Sequence, residues 1–205
     1  MRTVAHLYDN YSTAQQVVND LEAAGFSHEN VSLVANEGVS STAPVTADPM
    51  VEPATGTGAG TGASIGTIIG GGAGLLAGIG ALAIPGVGPV IAAGWLVATL
   101  TGAGAGAAAG GLLGSLTGAG LSEEHAHVYA EGVRRGSTLV SVRADEARVT
   151  EAEVIMTGHG PVDIADRGTD YRADGGWDRF DESRGALTAD ELAAERLRMS
   201  TRAGI

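Results

Sequence analysis

Cysteine and lysine are both missing from this chain of 205 residues. Without cysteine there is no disulfide, no thiol nucleophile and no zinc–thiolate site, and the redox compartment leaves no mark. Without lysine there is no Schiff-base amine and no P-loop cation; all 12 basic residues are arginine. Positive charge is scarce overall. The net charge of −12 argues against a nucleic-acid partner, because affinity there rests on neutralising phosphates with basic side chains. The widest gap is in charge of either sign: Pro53 to Ser122 contain none. The acids Asp48, Glu52, Glu123 and Glu124 flank that block, which argues against a polybasic membrane-surface anchor. Met1-Arg2-Thr3-Val4 runs directly into strand-like sequence, so no signal peptide is expected.

What fills the uncharged block is glycine at every fourth position. One row is Gly58, Gly62, Gly66, Gly70, Gly74 and Gly78; the other is Gly94, Gly102, Gly106, Gly110, Gly114 and Gly118, with Ala98 in its gap. Between them Pro85, Gly86, Gly88 and Pro89 signal a turn. The pattern predicts two close-packing helices in a hairpin over 58–121. In water each glycine costs a helix about 1 kcal/mol relative to alanine. In a bilayer, unpaired peptide groups cost more than that, and small residues let helix backbones approach. Residues 61–84 and 89–117 would reach about 36 and 43 Å as helices, more than the ~30 Å hydrocarbon core, with Trp95 as an interface anchor. A soluble hairpin buried between subunits is the competing reading. Each glycine in a row leads the last by about 40°. A row therefore turns through more arc than one partner helix covers, which points to a homo-oligomer.

Around the block the sequence reads as a split α+β domain, residues 1–35 and 122–166. Residues 2–8 and 31–35 read as strands. Between them lies a helix carrying Ala14, Val17, Val18 and Leu21, with Ser12 and Gln15 as a capping box and Gly25 as its stop. Ser122 opens a helix carrying Ala126, Tyr129, Ala130 and Val133. Thr138–Ala144 is a strand, Asp145 caps a helix with Val149, Ala152, Ile155 and Met156, and Val162–Ala165 is a short strand. Two strand–helix–strand units predict a ferredoxin-like four-stranded sandwich with helices on one face. Residues 36–57 read as a flexible linker and 167–205 as a charged tail. Thr188 and Glu191 mark a short helix there, over about 189–199. Trp177 and Phe180 are the tail's candidate docking residues, either for a neighbouring subunit or for none.

No constellation of catalytic residues is found. His125 and His127 are two apart on a helix and face different ways; His6, His28 and His159 are dispersed. Gly58-Ala59-Gly60-Thr61-Gly62 follows no strand and has no downstream ribose-binding acid, so it is not a dinucleotide site. Asp170, Asp174, Asp178 and Asp181 do not fit a calcium loop. No enzyme activity, cofactor or metal is expected.

The run Val4-Ala5-His6-Leu7-Tyr8-Asp9-Asn10, with Leu21-Glu22-Ala23-Ala24-Gly25-Phe26 and Val31-Ser32-Leu33-Val34-Ala35, resembles the opening of bacterial general stress proteins of the heat-induced type. Gly132 to Asp145 is similar to their second half, and such proteins carry a glycine-rich insert at this place. The resemblance implies a bacterial stress-related protein and brings no catalytic residue. Together these readings give a self-associating structural protein with two placements. One is the bacterial inner membrane, with the lipid bilayer as partner and the α+β lobe in the cytoplasm; the other is a cytoplasmic shell or filament.

Overall fold

The computed structural model describes residues 1–40, 80–101, 107–173 and 176–202. β1 (Arg2–Tyr8), α1 (Tyr11–Ala23) and β2 (Val31–Asn36) open the chain, followed by the short helix α2 (Glu37–Ser40). The next described elements are β3 (Gly80–Ile84), β4 (Gly88–Gly94), α3 (Trp95–Thr101) and α4 (Ala107–Gly118). Then come α5 (Glu123–Arg134), β5 (Thr138–Ala144), α6 (Val149–Thr157), α7 (Ile164–Ala173) and α8 (Ala189–Arg202).

The strands form one sheet in the order β1-β5-β2-β4-β3, and every neighbouring pair is antiparallel. β1 and β2 therefore run the same way with β5 between them, a split strand–helix–strand unit. Strand alternation gives the sheet two apolar faces. On the first, Val4, Leu33, Val140 and Val142 meet Val17 and Leu21 of α1 and Met156 of α6. On the second, Leu7, Val34, Val90 and Leu139 meet Leu96 of α3, Leu112 and Leu116 of α4, and Val133 of α5. Each of these large side chains contributes about 1.5–3 kcal/mol by leaving water.

The α+β class and the first three expected strands agree with the sequence reading; several details do not. α1 begins after Asn10, not Ser12, and its cap makes no side-chain hydrogen bond. Val162–Ala165 is not a strand. The Asp163 carboxylate accepts from the amides of Ala165 (2.8 Å) and Asp166 (3.0 Å), which starts α7 at Ile164. Only the Val162 amide reaches β1, donating to the Leu7 carbonyl at 2.8 Å. Helices cover both faces of the sheet, not one.

The largest correction concerns the uncharged block. The expected turn is present, over 85–87 with Gly88 and Pro89 opening β4, but it joins two strands and not two helices. Pro85 and Gly86 (φ 77°) take the central places of a type II turn closed by Val87 N–H to the Ile84 carbonyl, 3.1 Å. β4 then pairs with β2 from Asn36↔Val90 to Ser32↔Gly94. The physical reason is the sheet's second face, which needs an apolar cover; β4, α3 and α4 extend and cover it. Trp95, expected at a membrane interface, is buried at the start of α3 with the Arg143 guanidinium 4.8 Å from its ring centre. Among the described residues no helix is long and apolar enough to cross a membrane.

Candidate functional site

The densest grouping of charged and aromatic side chains lies where the C-terminal residues 164–202 cross α5. The sequence reading made most of this stretch a solvated tail. The structure makes it a strap held by apolar anchors at intervals. Tyr171 and Trp177 pack edge to face, centroids 5.5 Å apart, against Val128 of α5. Phe180 enters the main core beside the β3–β4 turn. It sits so close to Gly86 that a Cβ there would lie 2.9 Å from the ring and 2.7 Å from the Glu182 Cα. Leu192 and Met199 are the buried residues of α8.

Polar groups tie the strap down between these anchors. Glu131 on α5 is 1 % exposed, yet it is a carboxylate. Its charge is met by Arg135 Nε at 2.7 Å and Arg134 Nη1 at 3.2 Å. Arg135 also reaches Glu195 of α8 at 3.0 Å and lies 4.2 Å from the centre of the Tyr171 ring. Arg167 donates to both oxygens of Asp9, at 3.0 and 2.6 Å, and Ser137 Oγ donates to the same carboxylate at 2.8 Å. Burial disfavours the Arg167 cation, but the bonds to Asp9 more than offset that, so its pKa lies above the ordinary guanidinium value. Burial pushes the Tyr171 hydroxyl up to about 12, against the pull of Arg167. The α8 capping box expected from sequence is present. The Thr188 amide donates to Glu191 Oε2 at 2.7 Å, and the Glu191 amide donates to Thr188 Oγ1 at 3.4 Å.

This arrangement ties one stretch of the chain to another. The serine and the carboxylate that meet here, Ser137 and Asp9, have no imidazole beside them among the described contacts. His6, His28 and His159 pair instead with Glu153, Glu22 and Asp20, near α1 and α6. The Tyr8 and Tyr129 hydroxyls donate to the carbonyls of Met156 and Ala5, and burial raises both pKa values. Among the described residues no group of His, Cys, Asp or Glu could hold a metal ion.

The glycine rows fare unevenly. Gly58, Gly62, Gly66, Gly70, Gly74, Gly78, Gly102 and Gly106 lie outside the described residues. Gly94 ends β4 with φ 86°; a Cβ there would collide with the Val31 carbonyl oxygen and lie 2.8 Å from the Ser32 Cα. It serves a strand-to-helix corner, not a helix row. Gly110, Gly114 and Gly118 do lie on α4. From Leu112 on, at about 100° per residue, Gly114 and Gly118 fall on the side away from Leu112, Ser115 and Leu116, the buried positions. Gly118 is exposed, with nothing within 4 Å of a built Cβ. Sequence reasoning missed the strap's ion pairs. The (i, i+4) spacing of Glu131 and Arg135 was a signal, but nothing local says that Glu131 is buried.

No curated protein and no solved structure matches the chain. Residues 3–73 do match a family, the heat induced stress protein YflT domain. The match takes in β1, α1 and β2, covers about a third of the chain, and leaves the Gly132–Asp145 resemblance outside it. The similarity to heat-induced stress proteins is thus shown for residues 3–73.

Proposed function

We propose that this chain is a stress-related structural protein without catalytic chemistry, which self-associates through the uncharged segment Pro53–Ile79. The observation that carries the reading is where that segment begins and ends. β2 stops at Asn36 and β3 starts at Gly80, and both strands pair with β4, at Val90 and Ala92. The excursion through 41–79 leaves and returns at one sheet. One bilayer crossing would put its ends on opposite sides. Two crossings need about 20 apolar residues each, and Pro53–Ile79 offers about 27 in all. Most of the second arm that a membrane hairpin required, 89–117, is occupied by β4, α3 and α4. Ile65, Ile68, Ile69, Leu75 and Leu76 still give the segment apolar surface to remove from water. Small residues at every fourth position suit packing against copies of itself.

The test is particle mass by light scattering. Gly70→Leu, in mid-row, is expected to lower the mass of the assembly, and Ile79→Leu to leave it unchanged. Unchanged mass for Gly70→Leu overturns the segment's role, and retention of the wild type in carbonate-washed membranes overturns the placement.

A further inference from the structure

The two edges of the sheet are treated differently. At the β1 edge the Val162 amide bonds to Leu7 and α7 follows. At the other edge β3, Gly-Ala-Leu-Ala-Ile, has no strand beyond it among the described residues. It carries no charge, proline or bulge, the usual protections of a free edge.

Pro89 fixes which groups of β3 point outward. Ala83 lies opposite Pro89, which has no N–H to give, so that pair is of the non-hydrogen-bonded kind. Alternation makes Ala81↔Ile91 the same kind of pair, while Leu82 bonds inward with Val90. Ala81 and Ala83 therefore aim their N–H and C=O groups away from β4. These two residues are symmetric about Leu82.

We infer that the outer edge of β3 pairs antiparallel with β3 of a second copy. In that pairing Leu82 sits on the twofold axis and Ala81 faces Ala83 of the partner subunit. The two pairs make four backbone hydrogen bonds, and the two sheets become one. The arrangement is isologous, as a twofold interface requires. Leu82, half-buried on the side of the main core, gains cover from its symmetry mate. Charge favours this site over the rest of the surface. The chain carries −12, yet β3 itself carries none of it; Asp181 and Glu182 of the strap lie beside the turn that ends β3, away from the axis at Leu82. The rival occupant is the chain's own segment before Gly80. Gly70, Gly71, Gly72 and Gly74 make it a poor strand.

The inference shares with the proposed function the claim that copies associate, and it names a different surface. The full chain is examined by light scattering and by amide hydrogen exchange at Ala81 and Ala83, as wild type, Ala83→Pro and Ala83→Lys. Proline at 83 removes an outward N–H that the fold does not use, and Leu82 before it is already extended. The expected result is slow, concentration-dependent exchange at both alanines in the wild type. Ala83→Pro should lower the mass roughly twofold with the thermal melt retained. Ala83→Lys should act in the same direction, and it decides the matter if the proline variant misfolds. Mass unchanged in both variants overturns the inference. So does slow exchange in a monomeric wild type, which identifies the chain's own segment as the occupant. A mass lowered by Gly70→Leu alone keeps the segment reading and sinks the edge; a mass lowered by the Ala83 variants alone does the reverse.

Discussion

Replacing Gly94 by alanine separates two accounts of the uncharged block by sign. If Gly94 belonged to a glycine row in a helix, alanine would stabilise it by about 1 kcal/mol. In the structure Gly94 closes β4 opposite Ser32, at φ 86°. Alanine in that conformation costs about 1–2 kcal/mol on backbone sterics alone. The added Cβ also meets backbone, the Val31 carbonyl and the Ser32 Cα, and no flexible side chain can swing aside. Parting β2 from β4 there strains the buried bond from Ser32 Oγ to the Ala93 carbonyl, 2.6 Å, worth about 1 kcal/mol. The sum is a loss of about 2–4 kcal/mol, or a fall in Tm of roughly 5–12 °C for a chain of this size. Thermal and denaturant melts followed by circular dichroism measure it. Gly118→Ala is the paired control: that site is helical and open, so stability should hold or rise by up to about 1 kcal/mol. A Gly94→Ala variant as stable as wild type would refute the strand corner and restore the helical row.

The strap offers further tests. Trp177→Ala removes the edge-to-face partner of Tyr171 and leaves a void over Val128, at a cost of about 3–5 kcal/mol. The loss should appear as rapid proteolysis between α7 and α8, while β5 amides stay protected. Arg148 stacks 3.9 Å from the Phe26 ring centre and donates to the carbonyls of Ala24 (2.8 Å) and Gly25 (3.2 Å) at the end of α1. Arg148→Ala should lower Tm and speed amide exchange in the last turn of that helix. Acid should loosen the strap. Hydrogen bonds from Ser183 to Asp181 and from Thr188 to Glu191 hold both carboxyls below their ordinary values, 3.8 and 4.5. A carboxyl depressed in the folded state contributes stability above its unfolded pKa and loses it as pH falls through the folded one. The protection factor in the first turn of α8, exchange relative to the intrinsic rate at each pH, should therefore fall below about pH 4.5 and hold between pH 6 and 8.

Elements with local signals were legible. The four apolar positions of α1 are the ones buried, Ser122 caps α5 by accepting from the His125 amide, and Thr188 with Glu191 starts α8. What failed was set by distant contacts. Val162–Ala165 has strand composition, but Asp163 caps a helix and β1 takes only one bond from the segment. Trp177 and Phe180 stood out as aromatics in a charged stretch, yet their pockets are built from α5 and the β3–β4 turn, far away in sequence. Glu131 looks like an ordinary surface acid on its helix. Only the strap, with Arg135 turned toward it and Glu195 beyond, encloses it.

The uncharged block misleads for a related reason. Absence of charge says that a stretch leaves water, and it does not say what it enters. A bilayer, a neighbouring copy and the bare second face of a sheet impose the same requirement on composition. The spacing of glycine carries the distinction. The four-residue row runs unbroken from Gly58 to Gly78 and then fails: positions 82 and 90 hold Leu and Val, and Gly86 sits in the turn. The gap coincides with β3 and β4, where Leu82 packs against the core and Val90 is buried in it. It resumes with Gly94 at the end of β4, and on α4 Gly114 and Gly118 lie away from the buried side. Where the row breaks, the chain needs side-chain volume to fill its own core. Where it persists on α4, Gly114 and Gly118 stand off the core; the unbroken row from Gly58 to Gly78 lies outside the described residues. The broken row therefore divides the block into a part the fold consumes and a part outside the described residues that the proposed self-association would use, and the Gly70→Leu and Gly94→Ala variants address the two parts separately.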